Sequence, residues 1–369
     1  MSTIVLLGAT GYTGRRTARA LVARGASPVL AGRDQGRLSQ LADELGGLPT
    51  AVADVADPAS VRGLIEKGDV LVTTVGPFGD LGRPAVTAAV DAGATYIDST
   101  GESPFIRRVF AEHGPRARVT GAALLTAFGH DWVLGNAAGA LALERARDAR
   151  RPATSVHVAY YLDGAGRGSM SRGTARSAFA MGSEPSYRFT GGAVVPERGA
   201  ARLRRFDVDG ELRPAFSTGG TEQLALPRSY PSLTDVEVYL GWLGEASTAV
   251  QRLSPVTDAL GRVPGVSSAL SRLGSAVADR LPEGPSAEDV ADVRTQVVAE
   301  AYDEYGTRVG RARLEGPEPY ALTADLLAWA AVQASEGAVE STGALGPVEA
   351  FGLEPLLAAL ADAGMKIVD

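Results

Sequence analysis

Cysteine is absent from this chain of 369 residues, which excludes disulfide bonds, thiol catalysis and cysteine metal sites. Lysine is almost absent, because only Lys67 and Lys366 occur among the 36 basic residues. No Tyr-x-x-x-Lys pair therefore exists, so catalysis by a tyrosine whose pKa a lysine lowers in that spacing is excluded. A lysine general base is also disfavoured, since Lys67 precedes a predicted strand and Lys366 lies near the C-terminus.

Histidine is scarce, and His113, His130 and His157 are isolated, without the spacing of a metal site. No run of about 18 apolar residues occurs, so we expect no membrane span. The first residues lead directly into a predicted strand, so we expect no signal peptide. Together with the lack of cysteine, this favours a cytoplasmic protein. The net charge of −7, without a basic cluster, argues against a nucleic acid partner.

A glycine-spaced turn follows the first apolar segment. Residues 4–7 predict a buried parallel strand, and Gly8, Gly11 and Gly14 follow before a predicted helix. In this context Gly8 permits a tight turn, Gly11 lets the backbone approach a pyrophosphate, and Gly14 allows close packing of helix and strand. Thr10, Tyr12 and Thr13, which lie between these glycines, are predicted to contact the cofactor as well. The pattern predicts a dinucleotide site with the phosphates at the N-terminus of the helix.

The end of the second predicted strand indicates which dinucleotide binds. A site for NAD usually has an acidic residue there, which accepts a hydrogen bond from the ribose 2′-hydroxyl. This chain has Gly32 followed by Arg33, with Arg37 one helical turn later. Guanidinium groups suit a 2′-phosphate, so the sequence favours NADP. Asp34 leaves NAD as the alternative, because it is an acid displaced by one or two positions.

Residues 1–130 alternate strands and helices in the manner of a doubly wound α/β sheet, so we predict a Rossmann domain. The predicted strands cover residues 4–7, 28–31, 50–54, 69–75, 95–98 and 118–126. An α+β substrate domain is predicted over residues 131–318. Residues 319–369 are predicted to form a C-terminal helical segment that packs back on the first domain.

Ligands of parallel sheets bind beyond the carboxyl ends of the strands. Asp54 is predicted at such an end, where it is suited to accept a hydrogen bond from the adenine amino group. The turn of Val75, Gly76, Pro77 and Phe78 is predicted to line the nicotinamide and its ribose. The alternative for this turn is an ordinary strand exit.

His130 and Asp131 lie at the predicted domain junction, where substrate pockets commonly form. The pair is suited to donate or orient a proton. The competing interpretation is structural, with Asp131 capping the following helix. Tyr160, on a predicted strand of the second domain, is a further candidate proton donor.

The sequence leaves open the structure of residues 242–281 and the oligomeric state. Residues 242–281 have helical spacing broken by Pro255 and Pro264, and their leucines fit a lid or a membrane-surface patch. A helix packed on the sheet is the favoured interpretation. The oligomeric state is not fixed, although a homodimer through the second domain is common in such architectures.

Several motifs together resemble the saccharopine dehydrogenase-like reductases, and within them the short bacterial branch that includes the trans-acting enoyl reductases. The motifs are at residues 8–14, 32–33, 75–78, 96–102, 127–132, 320–324 and 346–352. The resemblance implies a Rossmann domain, an α/β substrate domain and hydride transfer from a nicotinamide cofactor. Some relatives act on C=N bonds and others on C=C bonds.

We therefore expect an NADPH-dependent reductase that reduces a C=N or activated C=C bond of a small biosynthetic intermediate. Such a reaction depends mainly on positioning and electrostatic stabilisation, because the cofactor supplies the difficult chemistry. The proton would come from His130, Tyr160 or bound water. The alternative from another class is a non-catalytic NADP-binding sensor or partner protein.

Overall fold

Short apolar segments form seven strands that pair in parallel into one sheet, as the predicted Rossmann domain requires. The computed structural model describes residues 2–166, 169–181, 185–261, 278 and 280–368. The strands are β1 (Ile4–Leu7), β2 (Val29–Gly32), β3 (Thr50–Val52), β4 (Val70–Thr73), β5 (Thr95–Asp98), β6 (Ala123–Leu125) and β15 (Gly343–Ala344). Their order is β15-β6-β5-β4-β1-β2-β3. The winding direction changes between β1 and β4, which places the ligand cleft of such sheets at their carboxyl ends.

Helices connect these strands and cover the sheet. They are α1 (Tyr12–Ala23), α2 (Gln35–Glu44), α3 (Pro58–Arg62), α4 (Phe78–Leu81), α5 (Arg83–Ala92), α6 (Ser103–Arg108) and α7 (Gly114–Thr120), with a π-helical turn at Val109–His113. β1 and β4 are buried along their whole length, which explains why their sequences are continuously apolar.

The prediction of a sixth strand over residues 118–126 was wrong for its first part. Residues up to Thr120 belong to α7, and β6 begins only at Ala123. Pro115 in the first turn favours the helix, and Gly121 ends it in the left-handed conformation, with φ 85°. Val119, which suggested a strand, is 86% exposed on the helix surface.

A second, mixed sheet follows the long helix α8 (His130–Asp148). Its order is β10-β11-β12-β7-β13-β14-β16, and β8 and β9 extend it from β12. The parallel pair β7 and β12 lies at its centre, between antiparallel neighbours. The elements are β7 (Ser155–Asp163), α9 (Arg172–Met181), β8 (Ser186–Thr190), β9 (Ala193–Glu197), β10 (Leu203–Val208), β11 (Glu211–Thr218), α10 (Glu222–Ser229), β12 (Asp235–Leu240), α11 (Ala246–Gly261), α12 (Ala287–Val290), β13 (Arg294–Tyr302), β14 (Arg308–Gly316) and β16 (Lys366–Ile367).

The C-terminal part returns to the first sheet, as predicted. Helix α13 (Pro319–Ser335) packs along α1, where Asp325 lies 3.3 Å from Arg24. Leu322, Leu326 and Leu327 are fully buried in it. Two shorter helices follow, α14 (Pro347–Phe351) and α15 (Leu353–Asp362).

The chain divides into two units, each built from separate segments. The first unit comprises residues 1–101, 105–131 and 319–355, and the second comprises 102–104, 132–318 and 356–369. The sequence predicted that residues 319–369 pack on the first domain, whereas only residues 319–355 belong to the first unit. Residues 356–369 fall in the second unit, where β16 pairs with β14.

The segment 242–281 is described in part. Helix α11 continues through Pro255 and contacts β10 and β11, whereas residues 262–277 and 279 lie outside the described residues. Pro264 and the rest of the predicted helical spacing therefore lie there too. Among the helices that the structure describes, none is long and apolar enough to cross a membrane.

Candidate functional site

The structure requires glycine at two of the three glycine positions of the first turn, each for a different reason. Gly8 has φ 85°, and a Cβ there would lie 2.8 Å from Val75 Cγ2. A Cβ on Gly14 would lie 2.1 Å from the Gly8 carbonyl oxygen, so only glycine allows α1 to pack this close to the turn. A Cβ on Gly11 would meet that same oxygen at 3.4 Å, an ordinary contact. The fold thus requires Gly8 and Gly14, whereas it tolerates a side chain at position 11.

The N-terminus of α1 is open for an anion. Its N-cap is Gly11, which has no side chain to accept from the first N–H groups, and the first turn contains no acidic residue. The N–H groups of a helix N-terminus and the helix dipole favour a phosphate at such a position. The turn before the helix is held by Arg15 Nε and Arg37 Nη2, each 3.1 Å from the carbonyl oxygen of Thr10.

Asp34 has a local structural role. It is the N-cap of α2, and its Oδ1 accepts a hydrogen bond from Arg37 N at 3.0 Å. Arg33, directly before it, is exposed at the end of β2. The carboxylate thus faces the N-terminus of its own helix, and two guanidinium groups flank it in sequence.

Tyr12 and Thr13 form the start of α1. The Tyr12 ring packs edge to face against Tyr320 from α13, with ring centroids 5.2 Å apart. Its hydroxyl accepts a hydrogen bond from Arg16 Nη2 at 2.6 Å. The carbonyl of Thr13 accepts from the Thr17 hydroxyl at 3.0 Å, which is internal to the helix. The predicted cofactor contacts of Tyr12 and Thr13 stay predictions.

Asp54 and the turn after β4 lie at carboxyl ends of strands, as predicted. Asp54 follows β3, and its Oδ1 accepts from Ala56 N at 2.9 Å. Gly76 and Pro77 are joined by a cis peptide bond and, like Val75, are partly exposed. Phe78 differs, because its ring is buried in the core beside Phe105.

The structure brings His130 and Asp131 together. His130 Nδ1 lies 2.9 Å from Asp131 Oδ1, and the His130 side chain is 4% exposed. Asp131 has extended backbone angles, φ −85° and ψ 121°, within the helical segment. Such angles are typical of an N-cap residue, so the backbone fits the structural interpretation while the side chain contacts the imidazole.

Tyr160 lies within the second unit and is fully buried. Its hydroxyl donates to Glu222 Oε1 at 2.6 Å and accepts from Gly135 N at 2.8 Å. Trp132 packs edge to face on its ring. Both the proton and a lone pair of this hydroxyl are therefore engaged within the unit.

Asp98, at the end of β5, belongs to the 96–102 motif and lies at a carboxyl end of the sheet, but the sequence assigned it no role of its own. Its side chain is fully buried beside the start of the segment that leads to His130. Burial raises the pKa of Asp98 to about 6, although hydrogen bonds from Ala127, Thr100 and Thr126 act in the opposite direction. A buried titratable carboxyl group at the cleft side of a sheet is a candidate functional residue.

Two kinds of comparison agree with this geometry. A sequence profile of NAD(P)H-binding domains matches residues 8–98. A saccharopine dehydrogenase (L-Glu forming) from Saccharomyces cerevisiae superposes with a TM-score of 0.59 at 13% identity, and the alignment covers 100% of both chains. The chain has the saccharopine dehydrogenase-like fold. Within this fold, the first unit contains an NAD(P)H-binding domain.

Relatives in sequence match a shorter part. A trans-acting enoyl reductase from Mycobacterium ulcerans is 40% identical over 134 residues, which are 35% of this chain and 32% of that protein. A trans-acting enoyl reductase from Mycobacterium leprae is 39% identical over 136 residues, with the same two shares. The match thus spans about a third of the length of these relatives.

Proposed function

We propose that this saccharopine dehydrogenase-like chain is an NADPH-dependent reductase of a C=N or activated C=C bond in a small biosynthetic intermediate. The observation that supports it most directly is the open N-terminus of α1 behind the glycine turn. There, Gly11 leaves room for a pyrophosphate, and the sheet places further candidate residues at neighbouring strand ends.

The preference for NADP over NAD rests on the end of β2. An NAD site needs a carboxylate that accepts from the ribose 2′-hydroxyl. Asp34, the nearest acid, instead accepts from Arg37 N as the N-cap of α2. Arg33 is exposed at the same strand end, and a guanidinium binds a phosphate in a bidentate manner. These contacts favour a ribose with a 2′-phosphate.

The reacting end of the cofactor is proposed to lie at Val75, Gly76 and Pro77, in the turn after β4, the strand next to β1. NADPH supplies the hydride when it is bound. His130 is proposed to hold the proton that the reduced bond needs. Donation of Nδ1–H to the Asp131 carboxylate would orient the imidazole, and the doubly protonated ring would then donate the proton from Nε2–H.

Tyr160 is assigned the weaker role among the candidate donors. Its hydroxyl proton is directed at the Glu222 carboxylate and its ring is fully buried. The activated alkene is the favoured bond class, because the sequence relatives are named enoyl reductases. The imine stays the second class to test.

Cofactor choice is tested by Arg33→Ala. Titration of the protein with NADPH and with NADH, followed by nucleotide fluorescence, should give a dissociation constant for NADPH that rises about 10- to 100-fold, while that for NADH changes little. Arg116→Ala, an exposed arginine paired with Asp91 on other helices, is the matched control and should change neither constant. Equal losses for both nucleotides in Arg33→Ala would refute the phosphate contact.

Turnover is tested by incubating the protein and NADPH with panels of enoyl thioesters and imines while NADPH absorbance is followed. His130→Gln should lower kcat at least about tenfold with an unchanged dissociation constant for NADPH. Tight binding of one nucleotide redox state with no turnover across both panels would support the sensor class instead.

A further inference from the structure

The carboxylate of Asp98 connects two segments of the first unit. Oδ1 accepts from Thr100 N at 2.8 Å and from Ala127 N at 2.9 Å. Oδ2 accepts from the Thr126 hydroxyl at 2.7 Å. The main-chain oxygen of Asp98 accepts from Phe128 N at 2.6 Å. One buried residue at the end of β5 thus holds three successive residues that follow β6.

The held segment has an unfavourable backbone conformation. Ala127 has φ 59°, in the left-handed region that is unfavourable for a residue with a Cβ. Charge-assisted hydrogen bonds to a buried carboxylate are stronger than neutral ones. The contacts of Asp98 with residues 126–128 therefore compensate for this turn and fix its direction.

The turn leads directly to the His130–Asp131 pair. His130 N donates to Thr323 Oγ1 at 3.0 Å, and a Cβ on Gly129 would lie 2.9 Å from the Thr323 methyl group. The ring of Phe128 packs between aromatic residues of the same unit. The segment is thus attached to Asp98 at one end and to α13 at the other.

We propose that Asp98 is a positioning residue for the His130–Asp131 pair, which acts by fixing the left-handed turn at Ala127. The inference rests on the proposed role of His130 in proton transfer. Asp98 itself is placed to contact main-chain and hydroxyl groups, so its effect on the reaction is transmitted through the turn.

The ionisation state of Asp98 determines how firmly the turn is held. An ionised carboxylate only accepts hydrogen bonds, whereas the protonated group must donate from one oxygen. The midpoint near pH 6 lies below neutral pH, so the accepting form predominates at neutral pH. Tyr96, two residues earlier, is the titratable group beside Asp98; burial and the charge of Asp98 raise the pKa of this tyrosine, so it stays neutral. The Thr126 hydroxyl and the N–H groups of Thr100 and Ala127 donate to the same carboxylate.

The test is NMR on the intact chain, which needs no substrate. In the wild type, the amide protons of Ala127 and Thr100 should shift with a common midpoint near pH 6. Asp98→Asn, which keeps the shape and one acceptor oxygen, should abolish that shift. It should also lower the exchange protection of the Ala127 amide about tenfold and move the ring resonance of His130.

Two further variants distinguish an effect of the Asp98 contacts from a general loss of structure. Thr126→Val removes one donor to Asp98, so it should raise the shared midpoint and leave the fold intact. Asp69→Asn is the matched control, because Asp69 also accepts from two main-chain N–H groups, those of Thr3 and Glu66, but far along the sequence from the turn. It should leave His130 unchanged. His130 signals in Asp98→Asn that superimpose on the wild type at neutral pH would overturn the inference.

The same variants separate this inference from the proposed function. With an active substrate, Asp98→Asn should lower kcat and shift its pH profile, while the dissociation constant for NADPH stays within twofold. An absence of turnover in the wild type would count against the reductase alone, since the NMR outcome depends only on the contact between Asp98 and the turn.

Discussion

At the scale of single residues, the glycine turn separates what the fold needs from what a ligand needs. Gly14 faces a carbonyl oxygen that leaves no room for a Cβ, whereas Gly11 has ordinary clearance and extended backbone angles. A glycine pattern in a sequence does not distinguish these two cases. The structure does so, because the distance from the added Cβ to its nearest neighbour is a physical measure of tolerance.

Gly11→Ala should therefore weaken NADPH binding, whereas Gly14→Ala should destabilise the fold. Gly11→Ala should keep the wild-type melting temperature within a few degrees but raise the dissociation constant for NADPH at least about tenfold, since its methyl group enters the pyrophosphate position. Gly14→Ala should lower the free energy of unfolding by about 1–3 kcal/mol or more, because the backbone must move apart. Calorimetry and nucleotide titration measure both. Tight NADPH binding by Gly11→Ala would contradict the assignment.

Asp98 should make the stability of the first unit depend on pH. Its pKa is raised by burial from 3.8 to about 6, so the folded state binds this proton more tightly than the unfolded chain does. Its contribution to the free energy of unfolding is then fully present below about pH 4 and is lost as pH rises through about 6, with a total on the order of 3 kcal/mol.

Urea unfolding of the wild type and Asp98→Asn at several pH values between about 4.5 and 7.5 measures this contribution as a difference. The wild type should lose stability relative to Asp98→Asn as pH rises. A difference that is constant over this range would show that Asp98 has the same pKa in both states.

At the scale of elements, the sequence predicted the parallel strands and their helices well because each has a local signal. Residues 95–98 were predicted with the observed bounds. The exceptions have physical reasons. Strand β11 was missed, although it forms a hairpin with β10 across Asp209 and Gly210; its other partner, β12, lies further along the chain.

In the candidate site too, the sequence predicted what has a local pattern and missed what depends on contacts between residues far apart in the chain. The glycine turn, Arg33 and His130–Asp131 are local patterns, and the sequence located them. The role of Asp98 could not be found in this way, because Thr126 and Ala127, which donate to it, lie 28 and 29 residues away. The Tyr–Ile–Asp–Ser–Thr–Gly–Glu motif around it was the available signal.

A histidine and a glutamate lie side by side on the two central strands of the second sheet. His157 on β7 lies opposite Glu237 on β12, with 3.8 Å between Nε2 and Oε2. Arg202, directly before β10, also pairs with Glu237. Burial lowers the pKa of His157 to about 3, and the charges of Arg204 and Arg202 act in the same direction. His157 is therefore neutral in the folded protein at neutral pH.

NMR of the three histidines tests this prediction. The ring resonance of His157 should stay constant between about pH 5 and 8, although an unfolded histidine titrates near 6.5. Its contribution to stability is present above about pH 6.5 and is lost as pH falls towards about 3. Arg204→Met, which keeps an apolar stem, should raise this pKa. An inflection near pH 6.5 in the wild type would mean that water reaches the ring.

At the scale of the whole molecule, both units are made of segments that are distant in sequence. The first unit needs α13, whose leucines are buried and whose Asp325 and Tyr320 contact α1. Each fully buried leucine contributes about 1.5–3 kcal/mol. The dinucleotide-binding segment 1–131 is thus not a self-sufficient unit.

A chain that ends at Glu318 should lose NADPH binding although all glycine-turn residues remain, because the surface of α1 under α13 becomes exposed. Circular dichroism melting and nucleotide fluorescence measure the two effects. A chain that ends at Met365 lacks only β16 and the residues after it, and should bind NADPH as the full chain does. Wild-type affinity in the shorter chain would contradict the prediction.

The late position of α13 in the sequence also has a consequence during synthesis. About 190 residues separate the first part of this unit from residues 319–355, which complete it. At about 5–20 residues per second, the ribosome needs roughly 10–40 s to make them. During that interval the apolar surface of α1 is exposed on the nascent chain, where a chaperone that binds apolar segments would find it.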